Sequence, residues 1–216
     1  MDWQVVLNNS SLLARGLTTS LELTLFAIAA SLPVGCLLAI GRLSKQRWLS
    51  LFCASFVNVM RSNPLVLVLF WLIFLVPLII GHRVPNLAAV SVAFVVFFSV
   101  YFSEIVRSGI QSVGRMQISA GLSTGLTRGQ TMRHIVLPQA VRAMLPALTT
   151  QCIVVFQGST VAYVVGYDEL LHSSSMIAER TGRPVELYIA TAAIYFLVSL
   201  AGSLLARRFE TKRSRA

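Results

Sequence analysis

The chain has 216 residues, of which 56% are hydrophobic and only 12% are charged. Soluble domains usually carry about a quarter charged residues, so this composition excludes a disordered chain and argues against a water-soluble globule. The formal net charge of +10 is typical of nucleic-acid-binding proteins. Here, however, the basic residues separate long apolar runs, which indicates a membrane protein with no nucleic-acid partner.

Five apolar segments predict membrane-spanning helices. A helix needs about 20 apolar residues to cross a hydrocarbon core of about 30 Å. The candidates cover about 17–40, 65–80, 87–107, 144–167 and 185–206. The preceding stretch 48–60 is too short to cross alone, so we interpret it as an interfacial or partly inserted lead-in to the second span. The predicted fold is all-α, a single polytopic membrane domain over residues 1–216.

The distribution of basic residues predicts the orientation. With five spans and the N-terminus outside, 14 of the 18 Lys and Arg residues lie on the cytoplasmic side, whereas a sixth span would break this bias. The polar N-terminus lacks a basic n-region, so we predict no removable signal peptide. The chain is therefore expected to be multi-pass in a bacterial inner membrane, with a cytoplasmic C-terminus. Its outer loop 168–184 is expected to hold a short helix and a polar, mixed-charge surface.

A long cytoplasmic loop, 107–142, separates the third and fourth spans. Apolar and small residues recur in it at near-helical spacing over 117–126. Thr127 is a typical N-cap for a second helix, which Pro138 would end or kink. These signals predict a helix–turn–helix on the cytoplasmic face. Periodicity alone leaves open whether this unit lies on lipid or contacts another protein.

This loop resembles the EAA loop of ABC-importer permeases, in the branch that takes up polar amino acids. The residues that carry the match in spacing are Ser119, Ala120, Gly121, Gly125, Ile135, Leu137 and Pro138. The stretches 61–66, 104–113 and 137–140 also resemble this branch, and 156–163 and 177–180 are most similar to glutamate/aspartate permeases. The chain departs from the family at Ser119, where Glu is usual, at Gly121, where Ala is usual, and at Gly158, where an acidic residue is usual.

The resemblance implies a type I ABC-importer permease, a transport subunit and not an enzyme. The sequence agrees, because it contains no G-x-x-x-x-G-K-[ST] phosphate loop. ATP would be bound by a separate subunit, and this chain is expected to bind no cofactor or metal. The implied partners are an ATP-binding subunit, a second permease (identical or sister), a periplasmic solute-binding protein and an amino-acid substrate, with glutamate or aspartate favoured. The coupling loop would transmit closure of the ATPase pair to the spans.

Polar residues inside the spans are candidates for the substrate path. Gln157, Ser159 and Thr160 interrupt the fourth span, and Ser99 and Tyr101 of the third span are candidates for the facing wall. Interhelical hydrogen bonding without substrate contact is the alternative, and the sequence leaves it open. Separately, Glu104 and Arg107 lie three residues apart at the inner end of the third span, which predicts a structural ion pair.

A secondary transporter or channel driven by an ion gradient is the alternative class. It would be expected to carry buried carboxylates near the midplane and an internal repeat, and the sequence shows neither. An intramembrane enzyme would need a catalytic constellation in a span, but His82, His134 and His172 all fall in predicted loops. A purely structural membrane scaffold would not explain the sequence pattern at 107–142.

Overall fold

Every secondary-structure element in the described part of the chain is helical. The computed structural model describes residues 2–214, with side chains at 2–206 and 208, so several basic residues of the C-terminal tail lie outside the described side chains. In chain order the helices are α1 (Gln4–Asn8), α2 (Ser10–Arg42), α3 (Arg47–Arg61), α4 (Leu65–Ile80), α5 (Asn86–Gln111), α6 (Arg115–Ser123), α7 (Arg128–Val165), α8 (Leu170–Thr181) and α9 (Pro184–Ser214).

The helices agree with the five predicted spans. By length and composition, α2, α5, α7 and the stretch Pro184–Ala206 of α9 can each cross a membrane. Helices α3 and α4 qualify only as a pair, because the chain bends by 104° between them. This bend separates the lead-in from the short second span, as the sequence predicted. The outer connection also carries its expected short helix, α8.

Helix α7 is longer than the sequence predicted, because Pro138 does not end it. The helix runs on to Val165, so residues 128–142 belong to it and the cytoplasmic connection shrinks to 112–127. A π-helical turn, Met132–Val136, lies just before Pro138, and a similar turn at Trp71–Leu75 lies just before Pro77. Proline lacks an N–H and its ring clashes with the preceding turn, so the widened turn is what allows the helix to continue.

Helix α5 forms the centre of the molecule. In its most apolar window 61% of the residues are buried, against 6% for α9. Phe94, Phe98 and Phe102 of α5 are fully buried and pack with apolar residues of α2, α4 and α7. The rings of Phe94 and Phe98 meet edge to face with centroids 5.5 Å apart, a favourable aromatic arrangement. Helix α9, by contrast, leaves most of its surface open.

Helix α2 packs closely on its neighbours through small residues. Its buried face includes Gly16, Ser20, Thr24, Ala27, Ser31, Gly35 and Ala39, three or four residues apart. At Gly35, a Cβ atom would lie 2.7 Å from Phe102 Cβ and 2.7 Å from the carbonyl oxygen of Ser99. Small residues allow such backbone contact, and membrane helices depend on it because lipid provides no hydrophobic drive for association.

This contact predicts that Gly35→Ala destabilises the protein. The added methyl group would meet backbone and Cβ atoms of α5, which cannot rotate away, so we expect a loss of about 1–3 kcal/mol in the free energy of unfolding. Unfolding of the purified protein in detergent measures the effect. The matched control is Gly114→Ala, where a Cβ meets no atom within 4 Å. Equal stability of the two variants would contradict the close packing of α2 on α5.

Candidate functional site

The connection between α6 and α7 is a tight helical hairpin. Gly125 lies in its turn with a φ of +86°, a left-handed conformation that glycine adopts without a steric cost. Thr127 caps α7: its hydroxyl accepts the N–H of Gln130 at 3.3 Å, and Oε1 of Gln130 accepts the N–H of Thr127 at 2.9 Å. The predicted N-cap is therefore confirmed, as a complete capping box.

Gly121 brings α6 against the first turns of α7. A Cβ atom there would lie 2.6 Å from Cδ1 of Ile135 and 3.0 Å from Cγ2 of Thr131. The Gly121 carbonyl also accepts the hydroxyl of Thr124 at 2.8 Å and the N–H of Leu126 at 3.2 Å. Two positions of the sequence motif, Gly121 and Ile135, are thus in direct contact. Alanine at position 121 would require the Ile135 and Thr131 side chains to shift.

The rest of the motif is exposed. These residues are Ser119, Ala120, Gly125, Leu137 and Pro138. On α6, the side chain of Met116 is 86% exposed and shares one helical face with Ser119, Ala120 and Ser123. The hairpin therefore presents a protruding methionine surrounded by small residues. Another protein can pack closely against such a surface. We call this set of four residues the α6 face.

Two of the candidate path residues are buried inside the fold. Ser99 donates its hydroxyl hydrogen bond to the carbonyl of Val96 at 2.8 Å, and Ser159 donates to the carbonyl of Phe156 at 2.8 Å. The Ser159 oxygen also lies 3.3 Å from the hydroxyl of Tyr195. Ser99 is thus hydrogen-bonded within its own helix, whereas Ser159 also reaches a second helix through Tyr195.

The other candidates lie nearer the surface. Gln157 is exposed, and its amide donates to Oγ of Ser199 on α9 at 3.4 Å. Thr160 is half-buried and donates to the carbonyl of Gln157 at 2.8 Å. Tyr101 is half-buried as well, with its ring centroid 5.2 Å from that of Phe97. The five candidates therefore do not form one continuous surface.

An open groove of about 340 Å³ lies between α2, α7 and α9. Its lining is mostly apolar, with polar atoms from Thr24, Thr149 and Ser199. Because Ser199 also accepts the Gln157 amide, this groove borders the exposed candidate. The sequence analysis did not identify Ser199, since one serine in an apolar helix gives no periodic signal.

The connection between α7 and α9 contains a buried carboxylate, whereas the sequence predicted that its charged residues form a polar surface. Glu169 is fully buried. Its Oε1 accepts the N–H of His172 at 2.7 Å, and its Oε2 accepts the N–H of Leu171 at 2.9 Å and the hydroxyl of Tyr195 at 2.7 Å. Glu169 thereby caps α8 and links it to α9. Burial raises the pKa of the Glu169 carboxyl, since the charged form loses its hydration, although these donors act in the opposite direction.

At the inner end of α5, the predicted ion pair forms part of a larger cluster. Oε1 of Glu104 accepts a hydrogen bond from Nη2 of Arg107, as predicted. Its Oε2 contacts Nη1 of Arg42 at 2.5 Å and Nη1 of Arg61 at 3.4 Å. Arg42 and Arg61 lie 62 and 43 positions away from Glu104 in the chain, so local spacing could not identify them.

The sequence matches a known family and characterised relatives over most of its length. The family described as "Binding-protein-dependent transport system inner membrane component" matches residues 31–215. The glutamate/aspartate import permease protein GltK of Escherichia coli O6:H1 is 40% identical over 211 residues, which cover 94% of each chain. The probable glutamine ABC transporter permease protein GlnP of Bacillus subtilis is 33% identical over 202 residues, or 92% of each chain.

Solved structures agree with these matches. A crystal structure described as an amino acid ABC transporter with histidines superposes with a TM-score of 0.93 at 32% identity, covering 98% of this chain and 99% of the other. An inward-facing structure of the MetNI methionine ABC transporter gives a TM-score of 0.70 at 24% identity, covering 93% and 97% of the two chains, and supports the fold alone.

The buried carboxyl predicts a pH dependence of stability that Glu169→Gln removes. Because the pKa of Glu169 is raised in the folded state, protonation contributes stability that is fully present below the ordinary carboxyl pKa and is lost as pH rises through the raised value. The unfolding free energy of the wild type, measured relative to the glutamine variant, should therefore fall as pH rises from about 4. A difference that stays constant with pH would contradict this environment. Asp168→Asn, at an 85% exposed side chain, is the control.

Proposed function

Because the chain belongs to the family of binding-protein-dependent transport system inner membrane components, we propose that it carries an acidic amino acid, glutamate or aspartate, across the inner membrane. It is a multi-pass permease subunit of an amino-acid ABC importer, and the ATPase of such an importer is a separate subunit. The observation that carries the proposed substrate class is the 40% identity, over 94% of the chain, to a glutamate/aspartate import permease.

The charge distribution supports an anionic substrate. Between residues 23 and 167 the sequence holds one acidic residue, Glu104, and this carboxylate is in contact with three arginines. A substrate carboxylate moving along these helices would therefore meet no unpaired negative charge. Such a charge would be strongly repulsive in a low-dielectric setting. Gly158 also avoids an unpaired negative charge, since the family usually has an acidic residue at this position.

The substrate path is proposed to run along the groove that Gln157 borders. Gln157 and Thr160 are the candidates with accessible polar atoms, and Ser199 adds a hydroxyl beside them. In this proposal the buried Ser99 and Ser159, together with Tyr101, hold the helices that border the path. Amide and hydroxyl groups suit this position because they can hydrogen-bond a carboxylate or an ammonium group without a fixed charge of their own.

The α6 face is proposed to bind the ATP-binding subunit. The close Gly121–Ile135 contact and the capping box hold α6 on the first turns of α7. Since α7 continues from this hairpin to Val165, a displacement of α6 would move one end of a membrane-spanning helix. Closure of the ATPase pair could thereby switch the spans between two arrangements, as a rigid-body transition.

The remaining subunits follow from the same proposal. A second permease, identical or sister, would cover part of α9, of which only 6% is buried in the single chain. A periplasmic solute-binding protein would deliver the substrate on the outer side, near α8. In this arrangement the N-terminus is outside and the C-terminus is cytoplasmic, and ATP binds to the partner ATPase.

Uptake by the reconstituted complex tests the substrate class. With its ATPase, second permease and binding protein in proteoliposomes, the chain should accumulate labelled glutamate and aspartate in an ATP-dependent manner, in preference to glutamine and arginine. Gln157→Val should lower glutamate uptake about tenfold at limiting substrate, because a hydrogen bond to a charged group is lost. A preference for glutamine would contradict the acidic substrate, and uptake driven by an ion gradient without ATP would contradict the importer mechanism.

Substitution on the α6 face tests coupling. Ala120→Arg places a long charged side chain on a surface that must fit closely against the ATPase, so we expect uptake to fall to background while the protein still inserts in the membrane. Leu122→Gln, outside the α6 face at a 40% exposed position, is the control and should transport normally. Co-purification of the ATPase with each variant measures docking. Full uptake by Ala120→Arg would exclude the α6 face as the coupling surface.

A further inference from the structure

Three arginines from three helices converge on one carboxylate at the inner side of the membrane domain. Arg42 ends α2, Arg61 ends α3, and Arg107 lies one turn after Glu104 on α5. Oε2 of Glu104 contacts Arg42 at 2.5 Å and Arg61 at 3.4 Å, and Oε1 contacts Arg107. We call these four residues the arginine cluster. Its charges do not balance, because three guanidinium groups face a single carboxylate and leave two positive charges in excess.

The arginine cluster also has more hydrogen-bond donors than acceptors. Each guanidinium carries five N–H groups, whereas one carboxylate offers about four acceptor positions. Nη1 of Arg107 donates to Oε1 of Gln111 at 2.6 Å, which uses one further donor. Within the described residues, Nε of Arg107 is buried with no acceptor. The cluster is therefore suited to an additional anion with several oxygen atoms.

The cluster lies where two predicted spans end, and it is partly open. Arg42 follows the first predicted span, 17–40, and Arg107 is the last residue of the third, 87–107, so the predicted spans place the cluster near the lipid headgroups. The side chain of Arg61 is 42% exposed and that of Glu104 is 25% exposed. Sequence neighbours add to the positive field, since Lys45 lies just before α3 and Arg47 is its first residue. An anion at the membrane surface could reach the cluster without entering the hydrocarbon core.

Helix α3 provides an apolar surface next to this charge. Trp48 is 87% exposed and Phe52 is 71% exposed, while Cys53 and Val57 on another side of the helix are buried. Exposed aromatic residues flanked by basic ones are typical of helices that lie in the membrane interface. The 104° bend before α4 is consistent with that placement, because it turns α3 away from the direction of the spanning α4. Acyl chains can therefore pack beside the same region that attracts a phosphate.

We propose that the arginine cluster binds the phosphate group of an anionic phospholipid in the inner leaflet, with its acyl chains against α3. Guanidinium groups bind phosphate oxygens in bidentate fashion, and two uncompensated positive charges favour a lipid with net negative charge over a zwitterionic one. Basic pockets between transmembrane helices on the cytoplasmic side bind anionic headgroups in this way. The bound lipid would neutralise the excess charge and hold α3 against α2 and α5.

Native mass spectrometry of the assembled transporter tests this proposal directly. The complex is stripped of lipid in neutral detergent and titrated with phosphatidylglycerol or, separately, with phosphatidylcholine. Phosphatidylglycerol should be retained at lower concentration than phosphatidylcholine. Arg61→Gln should weaken phosphatidylglycerol binding about fivefold, since each basic residue near an anionic surface contributes about 1 kcal/mol. Arg115→Gln, which also removes one cytoplasmic-side arginine but lies outside the cluster, is the matched control and should bind normally.

A variant that keeps the charge and a competition experiment with a free anion complete the test. Arg61→Lys keeps the positive charge but loses the bidentate geometry, so its affinity should lie between those of Arg61→Gln and the wild type, whereas binding as weak as in Arg61→Gln would overturn the proposal. Equal retention of the two lipids, or equal losses in Arg61→Gln and Arg115→Gln, would also overturn it. Inorganic phosphate at millimolar concentration should displace phosphatidylglycerol only partly. Complete displacement, with phosphate itself retained, would identify a site for small anions instead. None of these readouts depends on which amino acid is transported.

Discussion

The close packing of α2 on α5 is the contact on which the rest of the structure depends. Glycine at position 35 brings the α2 backbone against Phe102 and the Ser99 carbonyl, and α5 is in turn the helix around which α4 and α7 pack. Lipid supplies no hydrophobic drive between helices, so this shape fit must provide much of the association energy. A larger side chain at position 35 would separate the two helices along their length.

A buried or partly buried carboxylate reinforces this packing at each side of the membrane. Glu169 caps α8 and accepts a hydrogen bond from the Tyr195 hydroxyl, so α8 and α9 are joined. Near the C-terminal end of α5, Glu104 links the ends of α2 and α3 to α5. The two carboxylates are stabilised differently: Glu169 by neutral donors and Glu104 by guanidinium groups. The two carboxylates therefore tie α2, α3, α5, α8 and α9 to one another through side-chain hydrogen bonds and ion pairs.

Much of the architecture was predictable because it depends on local signals. The Thr127 cap and the short helix α8 are confirmed, and four of the predicted spans are helices long enough to cross a membrane, while the second qualifies only as the bent pair α3 and α4. Hydropathy, capping and turn residues act within a few positions of one another, so the sequence could show them. Of the two alternatives for Pro138, an end or a kink of the helix, the structure excludes the end, because the π-helical turn before the proline accommodates its ring. The length of α7 depends on this π-helical turn, which the sequence pattern did not predict.

The sequence by itself determined that the chain has segments able to span a membrane, which way its charges favour insertion, and which loop resembles the EAA loop of ABC-importer permeases. It did so because hydropathy, charge bias and motif spacing are properties of the linear chain. Only the tertiary structure decided that Glu169 is buried, that Ser99 and Ser159 are hydrogen-bonded inside the bundle, and that Arg42 and Arg61 reach Glu104. These outcomes depend on how helices that are far apart in the sequence pack against one another. Local sequence patterns do not specify that packing.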